Sequence, residues 1–147
     1  MNSEVTTETS NHATFQRDYR LEAETLTSIS LKLSDLLLRN EARFPWLVLI
    51  PRRVGARETF DLLPSDRDQL WDEINRVGAA LKTVTGAAKI NTALFGNMVP
   101  QLHVHIIART PEDPAWPASA VGFGAPSPYC DNTPPDWWSM VCAAVQY

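Results

Sequence analysis

The sequence predicts an α+β fold, in which two hairpins build an antiparallel sheet and one long helix lies between them in the chain. Three observations lead there. Two apolar runs, residues 35–39 and 46–50, are close enough to pair as a hairpin. Residues 66–85 carry apolar side chains at helical spacing. Residues 89–95 and 99–109 then flank a Gly96-Asn97 turn and read as a second hairpin. The order is β-β-α-β-β.

Each element has its own signal. Residues 1–13 are rich in Thr, Ser, Glu and Asn and are expected to be frayed. Residues 15–33 mix apolar and charged positions without a clean period, with a short helix expected near 19–24. Leu36-Leu37-Leu38 forms the heart of the first strand, which ends at Asn40, and residues 41–45 connect it to the second. Pro51 and the Arg52-Arg53 pair stop that second strand. In the helix, Leu70, Ile74, Val77, Leu81 and Val84 are spaced by four and three and share a face, widened by Trp71 and Ala80. Asp72, Glu73, Arg76 and Lys82 fall away from it. Ser65 is the expected cap, preceded by Pro64, with Asp68 at the capping-box position, and Gly86 is placed to end the helix. Residues 111–135 hold seven of the eleven prolines and should be largely irregular, and residues 137–145 suit a short terminal helix.

With 147 residues, 44% hydrophobic and 20% charged, the chain is that of one soluble globular domain. A formal charge of −4 gives no reason to expect nucleic-acid or membrane attachment, and no run approaches the length of a membrane span. Cys130 and Cys142 form no metal-binding or redox spacing and are expected as reduced thiols in a cytoplasmic protein.

The chemistry concentrates in Gln101-Leu102-His103-Val104-His105-Ile106-Ile107-Ala108. On a strand, Gln101, His103, His105 and Ile107 share one face, while Leu102, Val104, Ile106 and Ala108 fill the other. A polar stripe on a buried element needs hydrogen bonds or a ligand. Structural histidines satisfied within the core are one reading. A metal site is another, but zinc wants three or four protein ligands, and His12 is the only further histidine. The third is nucleophilic catalysis. Neutral imidazole, with an ordinary pKa of about 6.5, can attack phosphorus, and a second, protonated imidazole can hold a non-bridging oxygen.

The segment Val99-Pro100-Gln101-Leu102-His103-Val104-His105-Ile106-Ile107 resembles the signature of the histidine triad (HIT) superfamily, in which three histidines alternate with apolar residues. The resemblance spans roughly residues 36–109, and more weakly Pro114-Ala115-Trp116-Pro117. It implies a HIT-like domain over residues 14–110, with residues 111–147 as a Pro-rich tail whose helix packs back on it. It also implies chemistry at the α-phosphate of a nucleotide, with a purine nucleotide, dinucleoside polyphosphate or nucleoside phosphoramidate as substrate class. On the resemblance, His103 is the nucleophile and His105 the phosphate ligand. Gln101 takes the first histidine's place, its main-chain carbonyl orienting the nucleophile. Asn40, Asn91, Gly96 and Asn97 fall at nucleotide-contacting positions. No metal or other cofactor is required, and a homodimer is expected. Three positions depart from the family pattern: Gln101, Met98 where a Ser or Thr assists the leaving group, and Pro45-Trp46-Leu47 in place of Pro-Gly-His. Gln101 and Met98 keep open a nucleotide-binding module with little or no turnover.

Overall fold

The computed structural model describes residues 14–146, so the expectation of a frayed segment over residues 1–13 lies outside them. A short helix, α1 (Tyr19–Ala23), leads into β1 (Thr25–Ser30), β2 (Ser34–Arg39) and β3 (Trp46–Pro51). The long helix α2 (Pro64–Thr85) follows, then β4 (Lys89–Ala93), β5 (Val104–Arg109) and the terminal helix α3 (Asp136–Val145). All five strands form one antiparallel sheet in the order β1-β2-β3-β5-β4. Both expected hairpins are therefore present, and the pairing of β5 with β3 joins them.

β1 adds a strand that the sequence pattern did not announce. Its six residues, Thr-Leu-Thr-Ser-Ile-Ser, are mostly half-buried, so they show no strong apolar run. Their β-branched content nonetheless suits an edge strand.

Alternation along β5 divides the core in two. Leu102, Val104, Ile106 and Ala108 join Leu36, Leu38, Leu47 and Leu49 on one face, covered by Leu70, Ile74, Val77 and Leu81 of α2. Trp138, Val141 and Val145 of α3 pack into the same cluster. On the opposite face, Ile107 lies with Leu37, Trp46 and Val48, and that layer is closed by Leu21 of α1 and by Ala115 and Ala120. The tail thus packs at both ends. Residues 111–135 are mostly turns and bends, and α3 covers the helix side.

Three features of the first reading change. Helix α2 starts two residues early: Pro64 occupies the first helical position, and Leu63 is a cap residue with no side-chain bond. Ser65 is therefore inside the first turn and is not the cap, which follows from proline's pre-set φ and its missing N–H. Trp71 is 61% exposed and does not widen the core face. Glu73, expected toward solvent, is buried at 1% exposure, because it lies three residues after Leu70 and four before Val77 on the apolar stripe. Its Oε1 accepts the Leu33 N–H at 2.7 Å and so ties the β1–β2 turn to α2.

That bond gives a stability prediction. Glu73→Leu leaves a buried N–H without its partner and is expected to cost about 1–3 kcal/mol. Glu73→Gln keeps an acceptor without a buried charge and should match wild type or exceed it. Urea unfolding of the two variants measures the contrast, and equal loss in both would show that the charge, not the hydrogen bond, holds the turn.

Candidate active site

β5 begins at Val104, not at Val99, and β4 ends at Ala93, so residues 94–103 leave the sheet. The local cause is that the chain finds other partners: the Leu102 N–H bonds to the Ala56 carbonyl at 3.0 Å instead of to β4. His103 thus stands just before the strand and His105 within it, and their rings meet edge to face at 5.0 Å between centroids. Both are nearly buried, at 6% and 7% exposure.

The hydrogen bonds assign a tautomer to each ring. His103 Nδ1 lies 2.6 Å from the main-chain oxygen of Gln101. A carbonyl only accepts, so Nδ1 carries a proton, and in the neutral form of the ring Nε2 keeps the lone pair. The Trp46 indole N–H points at His105 Nδ1 at 3.0 Å. An indole only donates, so this Nδ1 carries the lone pair and the proton sits on Nε2. Burial holds the His105 pKa down to about 3, with His103 and Arg39 adding to the effect. His105 is therefore neutral at physiological pH. The expected protonated imidazole is replaced by a neutral Nε2–H donor, because the indole occupies the other nitrogen.

The Nε2 atom of His103 and the neutral Nε2–H donor of His105 thus belong to adjacent rings. They border a cleft of about 310 Å³ whose walls include Leu21, Arg39, Trp46, Phe95, Asn97 and Val121. This volume lies at the lower end of small-molecule sites. A second cavity of about 240 Å³ is also bordered by His103, Phe95 and Gly96, and reaches Arg57, Thr59 and Gln101. Among the described residues, no group of three or more His, Cys, Asp or Glu is placed to hold a metal.

The HIT-domain family model matches residues 20–112. The chain belongs to the HIT family. This is a family of nucleotide-binding hydrolases and transferases. A histidine triad protein from Bradyrhizobium japonicum is 39% identical, with a TM-score of 0.87, over 90% of this chain and 99% of that one. One from Sinorhizobium meliloti is 40% identical, with a TM-score of 0.79, over 88% and 94%. One from Marinobacter aquaeolei is 36% identical, also with a TM-score of 0.79, over 91% and 95%. No match was found among curated proteins.

The remaining candidate residues of this HIT protein separate into two groups. Gly96 and Asn97 border the histidine cleft. Gly96 has φ +80°, in the left-handed region that glycine enters at little cost. A Cβ there would meet nothing closer than 3.7 Å, so its conformation rather than crowding favours glycine. Asn40 and Asn91 lie outside the cleft lining. Asn40 Oδ1 accepts the Tyr129 N–H at 2.9 Å and so secures the tail, while Asn91 Oδ1 accepts from Arg109 Nη1 at 2.9 Å. Sequence reasoning missed Arg39 and, as a contributor to the site, Trp46. Both border the cleft, yet each reads along the chain as an ordinary strand-end residue.

Gln101 serves the site twice. Its carbonyl accepts the hydrogen bond from His103 Nδ1. Its side-chain amide is taken up by backbone groups of the segment before α1. The Oε1 accepts the Asp18 N–H, and the Nε2 donates to the Gln16 carbonyl, both at 2.9 Å. This clamp sets the segment entering α1, where Asp18 caps the helix by accepting the Arg20 N–H and Arg20 Nη1 donates to the Met98 carbonyl. Gln101→His cannot reproduce the paired amide geometry. It is expected to lower hydrogen-exchange protection at the Asp18 N–H and to leave turnover no faster. Unchanged protection together with faster turnover would mean that the first triad histidine is what this site lacks.

Proposed function

We propose that this HIT protein transfers or hydrolyses a nucleotidyl group by way of a covalent nucleotidyl-histidine. The observation that carries the reading is the pair of tautomers: His103 Nε2 presents a lone pair beside the Nε2–H of His105 in one cleft. In the first step His103 Nε2 attacks the α-phosphorus, a P–N bond forms, and the bridging bond to the leaving group breaks with its electron pair leaving on that group. His105 donates to a non-bridging oxygen throughout and offsets charge in the transition state. In the second step water attacks phosphorus and gives up a proton, the P–N bond breaks with its electron pair returning to Nε2, and neutral His103 and the nucleoside monophosphate are released; that proton offsets the one taken up by the leaving group from solvent.

The two cavities that share His103 suit a nucleotide on the side walled by Leu21, Trp46 and Val121, and a leaving group on the side of Arg57 and Thr59. Gly96 borders both cavities and Asn97 the first, which supports a phosphate path beside them. A dinucleoside polyphosphate or a nucleoside phosphoramidate fits this division. A binding module with little turnover is the second reading, favoured by Met98. That side chain is 87% exposed and offers no hydroxyl to the leaving group.

A homodimer is part of the proposal. Trp71 and Leu94, 61% and 43% exposed, border an apolar groove shared with Leu70 and Ile74, and β4 leaves an open sheet edge beside it.

The deciding experiment incubates the protein with both substrate classes, separates the products, and looks for the mass of one nucleotidyl group on His103. Turnover with the adduct supports the enzyme. AMP binding without turnover supports the module.

A further inference from the structure

His105 is neutral in the cleft, yet a nucleotide brings a negatively charged phosphate to it. Among the described residues that border the cleft, the one permanent cation is Arg39, at the end of β2. Its guanidinium carbon lies 4.4 Å from the centre of the Trp46 ring, and Nη1 pairs with Glu24 Oε2 at 3.1 Å. The side chain is 19% exposed, so it is fixed in place but still open to the cleft. Trp46 also donates to His105, so a single indole touches both groups.

We infer that Arg39, laid across Trp46, supplies the positive charge that meets the substrate's phosphate, and that Trp46 positions both this guanidinium and the neutral His105. The inference rests on the nucleotide reading above and assigns its charge. Arginine suits the task because its planar fork presents five donors, and the ion pair with Glu24 leaves part of that fork for a ligand. Stacking on the ring fixes the fork before the ligand arrives and lowers the ordering cost of binding. The groups facing His105 agree with this division of labour. His103 lies before it in the chain, Trp46 and Arg39 come from β3 and β2, and Phe95 comes from the loop. A proton added to His105 would meet two neighbours of like or potential like charge and the hydrogen of an indole.

Calorimetric binding of AMP and adenosine, with nitrogen NMR of the histidine rings, tests both halves. Arg39→Gln is expected to weaken AMP by about 10- to 100-fold, as for loss of a charge-assisted hydrogen bond, and to leave adenosine unchanged. Arg39→Lys should recover part of the loss, and circular dichroism checks that both variants fold. Trp46→Phe keeps a ring under Arg39 but removes the N–H. In that variant His105 should lose its single Nε2–H tautomer and populate both neutral forms, which the wild type does not do. Equal loss of AMP and adenosine in Arg39→Gln, or no loss of either, overturns the role of Arg39. A wild-type His105 carrying the Nδ1–H tautomer or two protons overturns that of Trp46. Inorganic phosphate separates the two levels of the argument. If phosphate binds through Arg39 while AMP does not bind, the nucleotide reading fails and the assigned charge stands; if neither binds, the assigned charge fails as well.

Discussion

His103→Ala is expected to lower turnover of a nucleotide substrate by roughly 10⁴-fold or more, the scale seen when a covalent nucleophile is deleted. Nδ1 of His103 donates to the Gln101 carbonyl, which leaves Nε2 as the ring's basic atom; of the other groups bordering this cleft, the Glu24 carboxylate is paired with Arg39. His105 cannot substitute, since its own lone pair is taken by Trp46 and its free nitrogen bears hydrogen. The fold should survive: the substitution removes one ring at the end of β5 and leaves the strand register through Val104–Arg109 intact. AMP should still bind, because the phosphate keeps its remaining donors. Steady-state rates and intact-protein mass after substrate quench measure the effect. Near-wild-type turnover in a preparation free of contaminating hydrolases would exclude the covalent route.

Arg109→Leu should produce the largest loss of stability, on the order of 3–5 kcal/mol. Arg109 is 1% exposed, among the most deeply buried side chains of the fold. Its Nε and Nη2 grip the two oxygens of Asp113 at 2.7 and 3.0 Å, Nη2 also donates to the Ala118 carbonyl at 2.7 Å, and Nη1 reaches Asn91. The rings of Phe44 and Trp116 lie 5.6 and 5.8 Å from its guanidinium carbon. Arg109 keeps the Asp113 carboxyl below the usual carboxylate range, despite burial pushing the other way. Leucine strands this carboxylate and frees the turn that follows β5, the segment that carries Val121 to the cleft wall. Pairing Arg109→Leu with Asp113→Leu should restore part of the loss, because the stranded charge goes with its partner. Urea unfolding of the single and double variants reads both effects. A single variant as stable as wild type would mean that the network only decorates the turn.

The parts of this molecule that were legible in the sequence are those written in local periodicity. Leu70 through Leu81 announces α2, and the run around Leu36–Leu38 with Trp46–Ile50 announces the central hairpin. Strand β1 was hidden because its four hydroxyl residues dilute Leu26 and Ile29. Glu73 was misplaced because a charged residue on an apolar stripe reads as solvent-facing until its distant partner, Leu33, is known. The site followed the same rule. His103 and His105 stand out along the chain, whereas the proton positions depend on a tryptophan 59 residues before His105. Arg39 borders the cleft only because the sheet lays it over Trp46, a contact that its immediate neighbours in the chain do not reveal.

The clamp at Gln101 joins two parts of the molecule that chain position alone keeps apart. Its main-chain oxygen holds the His103 ring, and its side-chain amide holds Gln16 and Asp18, 85 and 83 residues earlier. The imidazole and the segment that enters α1 thus share a single point of attachment, and a backbone shift at residue 101 reaches both.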